Sequence, residues 1–213
     1  PDGRWISRMA AAADGSLVAA VNVNNLLRFS RAGQATLFPR SVSEDDLGVD
    51  ALALDASGHF YLLVDNSVLV LDPTGQLLTR FGSDGEEPGQ FRAPQDLAVD
   101  FQGRIYVSTH EGFIVRLQPD GTKPENWVDT KGRPLGIDFD RAGNLIVADG
   151  FRGLLSISLE GKVVELVTVA DGVPIRFADD VDCAADGKIY FSDASTKFGV
   201  KEPGRQIRMA DSG

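Results

Sequence analysis

Eight residues before each of five recurrent glycines, at Gly15, Gly58, Gly103, Gly143 and Gly187, stand Ser7, Asp50, Gln95, Leu135 and Asp179. Two carboxylates, an amide and a hydroxyl form an oxygen-rich set of the kind that holds a hard cation such as calcium. The same column also reads as polar residues at strand starts, wetted by a central channel. A second polar group lies between later strands of each repeat: Asn24 and Asn25, Asp65 and Asn66, His110 and Glu111, Asp149, and Asp193. His110 is the candidate general base in this group, and a solvent-facing loop histidine has the same appearance in sequence. Arg133 is placed either to clamp an anionic substrate or to bond neighbouring carbonyls, and Asp149, Asp180 and Asp193 are further candidates for substrate contact. No glycine-rich phosphate loop, CxxC pair or GxSxG elbow is present, so nucleotide binding, zinc sites and α/β-hydrolase chemistry receive no support.

The elements that must position these residues follow from the glycines. Their steps are about 43 residues, and a second glycine follows 17 or 18 residues later, at Gly33, Gly75, Gly121 and Gly161. Two hairpin turns at fixed offsets in a repeat of this length describe one four-stranded propeller blade. In the third repeat, Asp96 to Asp100, Arg104 to Ser108, Phe113 to Gln118 and Asn126 to Asp129 read as strands A to D, rich in β-branched and aromatic residues. Asp55, Asp100 and Asp140 stand three residues before the turn glycine, and Asp14 and Asp186 directly before it, where a carboxylate caps turn amides. The reading is an all-β chain: a β-propeller of about five four-stranded blades, at 1–48, 49–93, 94–133, 134–177 and 178–213, belonging to a longer propeller. The last blade is incomplete, with Gln206 to Ala210 as its strand C. Further sequence or another chain would then complete the ring; a five-bladed ring closed by the N-terminal segment is the alternative. The column eight residues before the glycines falls where the chain swings to the axis of each blade, and the loops between strands B and C open on the same face.

The net charge of −10, from 31 acidic against 21 basic residues, repels a phosphate backbone and argues against nucleic acid as a partner. No apolar run approaches the ~18 residues of a membrane helix. The single cysteine, Cys183, falls in a strand A and reads as a buried structural thiol, giving no sign of an oxidising compartment. No signal peptide is visible, and a start at Pro1 fits removal of a leader or upstream region. Trp5 and Trp127 read as blade-packing aromatics, and Glu86 and Glu87 as solvated.

Three segments carry a resemblance. FGSDGEEPGQFRAPQDLAVDFQGRIYVS, residues 81–108, resembles an NHL repeat, in which PGQF leads through a proline into strand A. GRPLGIDFDRAGNLIVAD, ending at Asp149, and FADDVDCAADGKIYFSDASTKF, residues 177–198, resemble the strictosidine synthase-like proteins of the wider gluconolactonase and paraoxonase group. The resemblance implies a six-bladed propeller with a central calcium and lactonase, esterase or strictosidine synthase-like activity on a small molecule. It implies calcium ligands at Gln95, where the family usually has glutamate, and at Asp179, where it usually has asparagine, with Asp180 beside it. Leu135 stands where paraoxonase-type members carry a histidine, so that base is absent. Two functions stay open: a calcium-dependent hydrolase of a small lactone or ester, and a non-catalytic NHL-type propeller serving as a binding or scaffold module.

Overall fold

A computed structural model describes residues 6–12, 14–21, 25–38 and 48–194. Trp5, Asn24 and the strand expected at Gln206 to Ala210 lie outside the described residues. The chain divides into two compact units, Pro1–Asp129 and Thr130–Gly213.

The first unit holds three four-stranded antiparallel sheets, each in simple sequential order: β1 (Ile6–Ala11), β2 (Leu17–Val21), β3 (Asn25–Phe29) and β4 (Ala35–Phe38); β5 (Ala51–Leu54), β6 (Phe60–Val64), β7 (Ser67–Leu71) and β8 (Leu77–Phe81); β9 (Pro94–Val99), β10 (Ile105–Thr109), β11 (Phe113–Leu117) and β12 (Glu125–Asp129). The second unit holds a fourth such sheet, β13 (Pro134–Phe139), β14 (Leu145–Asp149), β15 (Gly153–Ile157) and β16 (Val163–Val167). It also contains a short hairpin of β17 (Val169–Ala170) and β18 (Val173–Pro174), and the pair β19 (Ala178–Cys183) and β20 (Ile189–Asp193). Four blades of four strands make this a β-propeller fold, and the described residues contain no helix long and apolar enough to cross a membrane.

The turns form as their residues dictate. All five A–B glycines have φ between 77° and 87°, a region that costs most residues steric strain. The aspartate three positions earlier binds the turn amides: Asp100 Oδ1 accepts from Gln102 N and Arg104 N, each at 2.9 Å, and Asp55 Oδ1 accepts from Ser57 N and His59 N. Its second oxygen takes a strand-B side chain, His59 Nδ1 at 2.8 Å in one blade and Arg104 Nε at 2.6 Å in the next. These acids are turn chemistry.

In each four-stranded blade the second strand is sealed on both faces for most of its length, and in one blade the third strand, β7, is sealed as well. In β6 the side chains of Phe60, Leu62 and Val64 join a core with Val18, Ala20 and Leu26 of the preceding blade, while Tyr61 and Leu63 join one with Leu97, Ile105 and Val107 of the next. A strand buried on both sides reads as a continuous apolar run, as FYLLV does. The D strands β4, β8 and β16 remain largely exposed. Innermost strands of neighbouring blades lie side by side, β5 between β1 and β9 in the first unit and β13 against β19 in the second. In the second unit, Ile146, Ala148 and Leu154 pack on Ala178 and Val181. Trp127 meets Tyr106 edge-on with centroids 5.1 Å apart, as a blade-packing aromatic. The hairpin β17–β18 was not part of the sequence reading; Asp171 and Gly172 at positive φ form its turn.

Candidate functional site

The crossover into β9 places two of the sequence candidates at one carbonyl. Ala93 has φ 44° and stands immediately before Pro94, a backbone region disfavoured for a residue with a Cβ. Its carbonyl accepts from His110 N at 3.2 Å and from Gln95 Nε2 at 2.8 Å; the same Gln95 nitrogen reaches Pro94 O at 3.3 Å. With its NH₂ group bonded to the backbone, Gln95 keeps its amide oxygen as an acceptor. His110 is half-buried in the turn between β10 and β11. Beside it, Glu111 pairs with Arg92 at 3.2 Å, and Arg92 also pairs with Glu86, so Glu86 is an exposed ion-pair partner.

Asp50, at the start of β5, has other company. Its Oδ2 accepts from Asp65 N at 3.2 Å, and its carbonyl accepts from Arg8 Nε. Burial raises the Asp50 carboxyl above its ordinary pKa; the amide of Asp65 opposes this, the Asp65 charge adds to it, and Arg8 opposes it. Among the described residues no group of three or more His, Cys, Asp or Glu is arranged to hold a metal ion. Gln95 and Asp50 belong to the first unit and Asp179 to the second.

In the second unit the candidate Asp149 is fully buried at the end of β14. Its Oδ1 accepts from the backbone amides of Arg133 (3.0 Å), Phe151 (2.9 Å) and Arg152 (3.1 Å), and its Oδ2 accepts from Thr130 Oγ1 at 3.1 Å. A carboxylate with four donors ties the B–C turn to the crossover entering its own blade. A Cβ on Gly132 would lie 2.3 Å from both carboxylate oxygens, so glycine is needed for this approach. Asp193 repeats the device at the end of β20, accepting from Phe177 N at 2.9 Å and Arg176 N at 3.3 Å. Both residues thus have backbone roles that the sequence reading did not give them.

Arg133 and Phe177 share one register, ten residues before the A–B glycine, and each donates its backbone N–H to the aspartate that ends strand B. The Arg133 guanidinium stands over the Phe177 ring, Cζ 5.9 Å from its centroid. Arg133 Nε is sealed from solvent with no hydrogen-bond partner, which costs about 1–3 kcal/mol. Leu135, the residue in place of a histidine, is buried, and a Cβ on Gly150 would touch both it and Phe177 at 3.3–3.4 Å. Asp179 is exposed in β19. Asp180, also exposed, donates its N–H to Ser192 Oγ at 3.2 Å, and its Oδ1 accepts from Val181 N at 2.9 Å. A Cβ on Gly136 would come within 2.7 Å of Asp180 Cα, so β13 and β19 approach more closely there than any side chain permits.

One half-buried acid escaped the sequence reading. Asp138 in β13 accepts from Cys183 N and Phe139 N, each at 2.7 Å, and burial raises its pKa to about 6 despite those bonds, with Asp182 adding to the rise. Burial and the surrounding carboxylates push the Cys183 thiol up to about 12, as an inert structural cysteine requires. The available signal was the column five residues before the glycine: Ala10, Ala53 and Ala98 give way to Asp138 and Asp182.

A family model described as strictosidine synthase-like, N-terminal, matches residues 87–117. Strictosidine synthase-like protein 7 of Arabidopsis thaliana is 40% identical over 120 residues, covering 54% of this chain and 32% of that protein. Strictosidine synthase-like protein 3 of the same plant is 44% identical over 136 residues, covering 51% and 34%. The matches thus span about a third of the length of these relatives. Among solved structures, a gluconolactonase of Xanthomonas campestris superposes with a TM-score of 0.67 at 19% identity, over 87% of this chain and 68% of that one, a likeness of fold alone. Over about half of its residues the chain is therefore similar in sequence to the strictosidine synthase-like proteins, as its PLGI and FADD segments imply.

Proposed function

We propose that this chain forms part of a calcium-dependent hydrolase of the gluconolactonase and strictosidine synthase-like type, acting on a small lactone or ester. The observation that carries the proposal is the retention of oxygen donors at Gln95 and Asp179, where the resemblance puts calcium ligands, with the Gln95 NH₂ group bonded to the backbone. When bound, calcium would polarise the carbonyl to be attacked. The resemblance puts one ligand at Gln95 and another at Asp179, and Asp50 offers a further oxygen donor. His110, whose backbone amide donates to the same Ala93 carbonyl as the Gln95 side chain, would receive the proton from the attacking water on its ring. The exposed Asp180 faces solvent and would orient substrate hydroxyls.

Thermal unfolding with and without calcium tests the reading. At about a hundred times the dissociation constant, a bound ion adds roughly 2.7 kcal/mol of stability. The expected result is a calcium-dependent rise in melting temperature that Asp179→Ala removes, with chelator-sensitive hydrolysis of a lactone that His110→Gln reduces. No calcium shift and no turnover would leave a non-catalytic binding module.

A further inference from the structure

Five of the described arginines pair with carboxylates: Arg28 with Asp14, Arg92 with Glu86 and Glu111, Arg104 with Asp100, Arg116 with Glu125 and Arg152 with Glu165. Arg133 differs. Among the described residues its guanidinium meets the Phe177 ring and no acid, and of its nitrogens only Nε is sealed without a partner. A ring contact uses none of the five N–H donors in a hydrogen bond, so the planar fork is left uncommitted.

The fold does not require a cation there. The same register holds Gly48, Ala93 and Phe177 in other repeats, and the backbone duties of the position are met equally by Phe177, whose N–H binds Asp193 and whose carbonyl accepts from Ala194 N at 2.9 Å. Arg133 does the same, through Asp149 and through Gly150 N at 2.9 Å. The carboxylates of Asp149 and Asp193 are engaged by backbone amides. An arginine held by an aromatic ring, next to the buried apolar Leu135, is arranged as a receptor for a planar two-oxygen anion.

We propose that Arg133, supported by Phe177, is a binding site for a small organic carboxylate at the crossover into β13. The proposal deepens the hydrolase reading by giving its substrate or product an anionic group. It rests on that reading only for the ligand's identity as a substrate, since binding is measured without turnover.

The test is isothermal titration of the full chain with benzoate, with benzamide as the uncharged match and inorganic phosphate as a second anion, alongside melting of each variant. The expected result is saturable one-to-one binding of benzoate at least tenfold tighter than benzamide, weakened at least tenfold in Arg133→Gln and partly kept in Arg133→Lys. Arg133→Met should lose benzoate while its melting temperature stays level or rises, because the unpartnered Nε is gone. Phe177→Leu should weaken benzoate less than Arg133→Gln does. Equal affinity for benzoate and benzamide, or undiminished binding by Arg133→Gln, would overturn the site. A fall in the melting temperature of Arg133→Met would make the arginine structural, and phosphate binding more tightly than benzoate would overturn the carboxylate assignment. Failure of lactone hydrolysis with benzoate binding intact would refute the enzyme and leave this site standing.

Discussion

Among the described acids, Asp138 stands out for a strongly raised pKa. Its folded pKa, about 6, lies above the ordinary aspartate value of 3.8, because burial outweighs two amide hydrogen bonds. The folded state therefore holds the proton more tightly than the unfolded one. The stabilising contribution is complete below about pH 4 and is lost as pH rises through about 6, to a total of up to about 3 kcal/mol. Parent protein should gain stability relative to Asp138→Asn as pH falls from 7.5 to 5, measured by denaturant unfolding. Parallel curves for the two proteins would refute this account. The subtraction matters because Asp55 and Asp72, held below their ordinary range largely by hydrogen bonds, act in the opposite sense. Why some acids were legible and others were not has a simple basis. A turn aspartate binds amides two and four residues away, a pattern visible in any short window. Asp149 binds a hydroxyl and an amide sixteen to nineteen residues earlier, across a strand pairing, and in sequence it resembles any polar loop residue.

At the level of strands, the apolar runs carried the information. FYLLV, IYVST and LIVAD appear as strands sealed on both faces, within a residue of where the glycine register puts them. Strand A of the fifth repeat, which holds Cys183, starts at Ala178, because Asp193 anchors Phe177 and Ala178 pairs with Asp193 itself. The small hairpin at Val169–Pro174 was signalled only by its Asp-Gly turn, since strands of two residues have no periodicity to read. Sealing on both faces has an energetic corollary. Leu62 is wholly buried in the core shared by the first two blades, whereas Leu37 of the outer β4 is 58% exposed. Leu62→Ala should cost about 2–5 kcal/mol of stability and Leu37→Ala under about 1 kcal/mol. Urea denaturation of both variants decides it, and comparable losses would contradict the assignment of core and rim.

At the scale of the chain, charge and fold restrict partners differently. The excess of ten negative charges is a property of the whole surface, and it opposes any extended polyanion. Fluorescence anisotropy with a labelled RNA oligonucleotide at 0.15 M salt should show no saturable binding, and a micromolar affinity would overturn the exclusion. A single small carboxylate meets a different field, since within a few ångströms one unpaired guanidinium outweighs charges screened over about 8 Å. The repeat itself was legible because each blade needs two tight turns and glycine marks both. The crossovers were less so: the same offset holds tryptophan, glycine, alanine, arginine and phenylalanine, and only the folded backbone reveals that Ala93, Arg133 and Phe177 do one job, each carbonyl accepting an amide just past strand B.

The double-sided burial of β6 ties the first unit together in time as well as in space. Because one face of that strand completes the core before it and the other the core after it, its amides can reach deuterated water only when both interfaces open at once. Exchange along β6 should therefore report the global transition, while the outer β4 and β8 exchange by local fraying, and proteases will find their first cuts at the rim.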